Sequence, residues 1–449
     1  MTGTTPAPLP QRPDAAVTGE LTALALRPPG HGWDRPALLL ALLLTGVFGL
    51  SVWKLLADGV GVWGLNHPNV WGFDIVNYVW WIGLGNAGAI ISGLLLLLGH
   101  GWRNALNRLA EAMTLFSAAV AGLFPILHLG RPWLFWWTIP HENALGLWPN
   151  FRSPLIWDAF AVMTYLGVVG LFWYVGLIPD LATLRDRAAH PVWRRVYGIA
   201  ALGWRGCGSH WARWRLAYRT IAAVSVPYVV LIHTGVGLLY AGAPLPGWHS
   251  TVFPPLLMIG GTLAGFATIA LLSAALRRGF GLADLITAGH LDLLAKIMLA
   301  TALLYLYVHI AEIWTLLYRA TPAELHILRD RVSGPFAPYA WAGWIGSIAV
   351  PQFFWLPAVR RRPWAVALIS AVIMPAVWAS HYMLQMGPLS RGIFPAMWQP
   401  YLPTVWDWGV FAGSIGLFLL LLVLFLRAVP AVSIFEVKEA LRDEREASA

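Results

Sequence analysis

Ten stretches of the chain are apolar for long enough to cross a bilayer, and polar, Pro-rich or Arg-rich segments separate them. They lie at about residues 37–56, 74–99, 106–128, 153–178, 217–242, 254–276, 286–318, 338–358, 364–386 and 408–429. A helix rises 1.5 Å per residue, so roughly 20 apolar residues match a hydrocarbon core about 30 Å thick. The pattern predicts an all-α integral membrane protein of about ten transmembrane helices. Residues 37–429 form the membrane domain, between tails at 1–36 and 430–449. No connecting segment is long enough to fold as a soluble domain. The first tail is Pro-rich and polar, without a short apolar core and cleavage-type site, so the first span reads as a retained anchor. The last tail, SIFEVKEALRDEREASA, reads as a surface helix of mixed charge, solvated or facing a partner.

Composition agrees with the pattern. Hydrophobic residues make up 58% of the 449 positions and charged residues 11%, and the mean hydropathy is +0.64. A single water-soluble core could not hide that much apolar surface, whereas lipid is a solvent for it. The 27 Trp residues suit aromatic belts at two interfaces.

Charge changes the picture by giving direction. Arg12, Arg27 and Arg35, then Arg103 and Arg108, then a cluster from Arg185 to Arg219, then Arg277, Arg278 and Arg360–Arg362, and finally Arg427, Lys438, Arg442 and Arg445 all fall on one side of the alternating spans. Loop 57–73 has no Lys or Arg, and loop 243–253 has no charged residue. The basic side is therefore expected in the cytoplasm, with both termini inside a bacterial inner membrane that the chain crosses many times. The formal charge of +9 is mostly this bias. No basic-aromatic module lies outside the spans, so nucleic acid is not an expected partner; the lipid bilayer is.

Ionisable side chains inside a span are costly, and so they pair, face a cavity or carry function. The third span runs outward and ends LFPILHLGRPW, placing His128 near the periplasmic end; the fourth starts FRSPLIWDAF and runs inward, placing Asp158 at the same depth. An imidazole beside a carboxylate can accept protons from a hydroxyl-bearing ligand, and equally the pair can simply glue two helices together. Arg131 and Trp157, next to them in sequence, complete the expected binding set, although Arg131, like Arg152, also suits a snorkelling interface residue. The seventh span, HLDLLAKIMLATALLYLYVHIAEIW, carries Asp292 and Lys296 four apart in its cytoplasmic half, and Tyr305, His309 and Glu312 in its outer half. These read as a proton ladder or as local ion pairs. Lys296 and Tyr305 are nine residues apart, about 13 Å along a helix, so water or His233 and His381 from other spans would have to bridge them.

The single cysteine, Cys207, excludes an internal disulfide, a covalent haem attachment and a ligand set for an iron–sulfur cluster. No facing His pairs at matched depth assemble a haem site. There is no Walker, HExxH, GxSxG or zinc-type spacing, and no metal site is expected.

The segments GRPWLFWW, NFRSPLIWDAFAVMTYLGVVGLFWYVGLIPDLATLRDRA, VPYVVLIHTGVG, PGWHSTVFPP and HLDLLAKIMLATALLYLYV resemble the NrfD-like (polysulfide reductase membrane-subunit) family of quinone-reactive subunits, nearest to the ActC type of alternative complex III. The likeness covers roughly residues 50–385. It implies two antiparallel four-helix bundles, spans two to five (about 74–242) and six to nine (about 254–386), flanked by spans one and ten. It implies a quinol site near the periplasmic surface, with His128 and Asp158 as the binding and proton-accepting residues. The substrate would be menaquinol or ubiquinol, with no redox centre in this chain. Electrons would pass to a periplasmic iron–sulfur or molybdopterin-like subunit, beside a multihaem cytochrome c and a second NrfD-like membrane subunit. Asn86, where such chains carry a His, and the AVWASHYML segment, which lacks an expected Glu–Arg pair, leave proton translocation open. Three readings result: a quinol-oxidising subunit, a quinone-reducing subunit of a molybdopterin oxidoreductase, or a passive anchor or proton-conducting module.

Overall fold

The computed structural model describes residues 13–26, 34–139, 154–319, 321–391 and 394–448. Arg12, Arg27, Arg152 and the first residue of the fourth predicted span lie outside the described residues. The described chain is helical throughout, with no strand. In chain order the helices are α1 (Asp14–Ala25), α2 (Asp34–Asp58), α3 (Phe73–Leu97), α4 (Asn107–His128), α5 (Pro154–Arg187), α6 (Pro191–Ala200), α7 (Gly208–Ala241), α8 (Phe253–Gly279), α9 (Ala288–Arg319), α10 (Pro322–Val332), a broken α11 (Ala337–Trp355), α12 (Pro363–Leu389), α13 (Val405–Ala428) and α14 (Ile434–Ser448).

Nine of these are long and apolar enough to cross a membrane among the described residues. The predicted eighth span is different: Ala337–Trp344 is α-helical, Ile345–Ala349 widens into a π-turn, and Val350–Trp355 tightens into a 3₁₀ turn that Pro351 begins. A proline ring forbids the regular hydrogen bond and clashes with the preceding turn, which accounts for the change of pitch. Arg442 and Arg445 of α14 both reach Asp14 of α1 (2.7 and 2.8 Å), so the two ends of the chain meet.

The membrane domain is two four-helix bundles with a flanking pair. Helices α3, α4, α5 and α7 form the first bundle, α8, α9, α11 and α12 the second, and α2 packs along α13 at the side. The bundles meet where α3 crosses α8. A Cβ added to Gly83 would lie 2.9 Å from the Gly261 Cα, so only glycine lets the two backbones touch. The outward faces are apolar: Leu39 and Leu43 are each 67% exposed, and Tyr318 is 82% exposed at the end of α9. In water such a surface would drive aggregation; in lipid it is the solvated face.

The described part of each tail includes a helix that packs on the rest of the chain. Helix α1 buries Val17, Leu21 and Leu24 against the bundle. The C-terminal segment, read as a surface helix that is solvated or faces a partner, packs on its own chain as α14, burying Val437, Leu441 and the charged Glu436. Arg103 donates to Glu436 (2.9 Å), as does Asn107 (2.9 Å), while Arg108 donates to Asp180 (2.7 Å) and Tyr218 donates to Glu111. Each buried charge here has an opposite partner, which is what lets it sit inside.

Candidate functional site

At the end of the molecule opposite the basic loops, α3, α4, α5 and α7 enclose a chamber with about 770 Å³ of atom-free space, part of it open to the surroundings. The walls are mainly apolar: Ile75, Phe124, Val236, Leu239 and Ala243. Three ionisable groups and two phenols interrupt them: Asp74, His128, Asp158, Tyr78 and Tyr240.

Local chain geometry fixes each group. The segment before α3 is held by Tyr401, whose hydroxyl accepts from the Phe73 amide (3.2 Å) and sits so close to Gly72 that a Cβ there would be 2.6 Å away. The Gly72 amide donates to Asp74 Oδ1 (2.8 Å), so Asp74 satisfies an orphan N–H at the helix start. Its other oxygen contacts His128 Nδ1. His128 is the last residue of α4, and Trp71 stacks on its ring at 3.9 Å with the planes 11° apart. The imidazole is therefore pinned by a carboxylate at one nitrogen and an indole on one face, and Nε2 has no partner among the described residues. Tyr78, one turn after Asp74, donates to Asp158 Oδ1 (3.3 Å), linking α3 to α5. Tyr240 donates to Gln385 of α12 (3.0 Å), and the Trp248 indole donates to the Leu384 and Gln385 carbonyls (both 3.2 Å), so one wall of the chamber is anchored to the second bundle.

The expected pair His128 and Asp158 thus faces one cavity. Arg131 and Trp157 do not line it: Arg131 is exposed before a 3₁₀ turn, and Trp157 is 56% exposed on the outer face of α5. Successive residues on a helix are about 100° apart, so Trp157 turns away when Asp158 turns in. Sequence reading missed Asp74, Tyr78 and Trp71. Asp74 is the first residue of the second predicted span and passes for an interface charge; comparing its depth with the end of the adjacent third span would have paired it with His128.

The proton-ladder residues fall into separate groups. Asp292 pairs with Lys296 (2.6 Å) and with Arg360 (2.8 Å). Glu312 pairs with Arg331 of α10 in full burial. Between them α9 buries Met298, Leu299 and Ala302. Tyr305 and His309 are in ring contact (4.4 Å), and Tyr305 and His381 approach one another across Gly260. His233 is elsewhere, its two ring nitrogens 2.7 Å from the Val229 and Ile82 carbonyls, where it ties α7 to α3. Among the described residues no three or more His, Cys, Asp or Glu side chains cluster as metal ligands.

Comparison with known proteins gives the family. The family model described as "Polysulphide reductase, NrfD" matches residues 61–388, most of the chain and all of both bundles except the end of α12. A putative dimethyl sulfoxide reductase membrane subunit of Halobacterium salinarum is 28% identical over 276 residues, covering 60% of this chain and 56% of that protein. The chain therefore spans little more than half the length of that relative. A subunit of the selenate reductase of Mesobacillus selenatarsenatis is 21% identical over 402 residues, covering 85% of this chain and 90% of its own. A multi-pass, all-helical membrane domain with this family match identifies the chain as a member of the NrfD polysulphide reductase family.

Proposed function

We propose that the chain is the quinone-reactive membrane subunit of a redox complex and that it oxidises quinol. The observation that carries this is the chamber itself: an apolar-walled cavity with His128, backed by Asp74, and Asp158, held by Tyr78, as its proton-accepting groups. A hydroquinone has a flat apolar ring with a hydroxyl at each end. Bound between His128 and Asp158, it would give one proton to each, and its two electrons would leave together as the ring becomes quinone.

The partner holding the electron acceptor is an iron–sulfur or molybdopterin-like subunit docked over the chamber end. The two relatives are named for reductases of a sulfoxide and of selenate. A reductase needs an electron donor, which supports quinol oxidation over quinone reduction at this subunit. Those names also favour a reductase-type complex over the alternative complex III arrangement, with its multihaem cytochrome and second NrfD-like subunit. The membrane is the bacterial cytoplasmic membrane with the basic end inside, so protons released at the chamber reach the periplasm. Asp292, Lys296 and Glu312 of α9 are read as members of local ion pairs: Met298, Leu299 and Ala302 lie between them, and outward proton release follows from where the quinol sits.

The test is Asp158→Asn in the assembled complex. Quinol oxidation is expected to fall by about two orders of magnitude, within the usual 10²–10⁴ contribution of a positioned acid or base. Turnover at the wild-type rate would refute the assignment.

A further inference from the structure

The chamber has a neighbour. On the other side of Pro125 and Asp158, which line both spaces, lies a cleft with about 630 Å³ of atom-free space. Gly122 and Ile126 of α4, Phe135 of the 3₁₀ turn, and Ala159, Val162 and Met163 of α5 form its sides. Asp158 and Thr138 bring the polar atoms, and the rest of the lining is apolar. The cleft opens sideways: Phe135 is 46% and Met163 50% exposed, and Phe160 beside them is 42% exposed. Phe160 and Met163 belong to α5, whose most apolar window is only 28% buried inside the protein.

Resting on the quinol reading above, we infer that this cleft holds the isoprenoid tail of the quinol and is the side port through which the substrate arrives from the lipid. A lipid-soluble quinol carries a polar ring on a long hydrocarbon chain and reaches a protein from within the bilayer. Its site needs a polar-edged room for the ring and an apolar channel for the tail, joined end to end and open to lipid. The head chamber has the ionisable groups, the cleft has the hydrocarbon walls, and Asp158 stands at the junction. A water-soluble ligand would have no use for a lateral apolar opening. A structural lipid needs no continuity with the chamber. The position also gives Val162 and Met163 a role in selecting substrates by tail, since they lie about one turn beyond Asp158 along α5.

The experiment uses the intact complex with two donors, a long-tailed isoprenoid quinol and a tailless tetramethyl hydroquinone. Val162→Trp fills the cleft. The expected result is a rise in KM for the long-tailed quinol of about ten-fold, the equivalent of roughly two buried methylenes lost, with kcat/KM for the tailless donor unchanged. Met163→Trp, at a half-exposed position that tolerates bulk, repeats the test if the first variant fails to assemble. An equal loss with both donors, or no change with either, would overturn the inference. A quinol carrying a photoreactive group on its tail gives an independent readout. Attachment within residues 122–139 or 154–163 supports the cleft, and attachment only to other helices overturns it. Failure of the headgroup reading looks different, because Asp158→Asn would then leave both donors unaffected.

Discussion

Replacing Asp74 by Asn tests whether the carboxylate behind His128 sets the chemistry of the imidazole. The change keeps the size and shape of the side chain. Oδ1 can still accept from the Gly72 amide at 2.8 Å, so the start of α3 is retained. That fixes the amide so that its NH₂ group, not an oxygen, faces His128 Nδ1. The imidazole must then accept at Nδ1, and its proton moves to Nε2. A ring already protonated at Nε2 cannot take a proton from the quinol there, and no adjacent charge remains to stabilise the imidazolium. A hydrogen bond to a charged group contributes about 1.5–3 kcal/mol, which corresponds to a loss of roughly 10–150-fold in rate. The assay is steady-state quinol oxidation by the assembled complex, with a pH–rate profile. The expected result is lower kcat with little change in KM. An Asp74→Asn complex turning over within a factor of two of wild type, with the same profile, would refute the reasoning.

Other consequences follow from the same structure. Glu436→Ala strands the Arg103 guanidinium, which is 4% exposed, and should destabilise the fold by about 3–5 kcal/mol, read as a lower midpoint of thermal unfolding in detergent. Glu312→Gln should leave one proton released per electron in proteoliposomes; a wild-type ratio above one that falls in the variant would restore α9 as a proton path. Asp14 is held below the usual carboxylate range by hydrogen bonds from Arg442 and then Arg445. A lowered carboxylate stabilises the fold above its unfolded-state pKa and loses that effect as pH falls through its folded-state pKa, so the α1–α14 clasp should persist at neutral pH and loosen only in strong acid. Amide exchange in α14 at several pH values measures it, and loosening already near neutral pH would contradict it.

The bundle was legible because lipid imposes one rule on every span: it must be apolar and roughly 20 residues long. The rule does not see helix pitch, so 338–358 reads as an ordinary span although Pro351 makes it a broken one. His128 and Asp158 stand out because adjacent antiparallel spans put them at one depth. Asp74 escapes because the first residue of a span looks like a surface charge until His128 is seen to lean on it. The C-terminal helix escapes for a different reason. Glu436 is 333 positions from Arg103, and no local pattern marks a mixed-charge tail as one whose carboxylate will enter a protein interior. Arg131 and Trp157 join the expected set only by proximity in sequence, which helix geometry does not respect.

The central claim is that a quinol ring binds between His128 and Asp158. The most direct test is a fluorescence-quench titration of a quinol-site inhibitor, a heptyl hydroxyquinoline N-oxide, with the purified wild-type complex and with the His128→Leu, Asp158→Asn double variant. The account predicts saturable binding of one inhibitor per chain in the wild type, displaced by quinol, and no saturable binding in the folded double variant. Undiminished, quinol-displaceable binding in the double variant would contradict it.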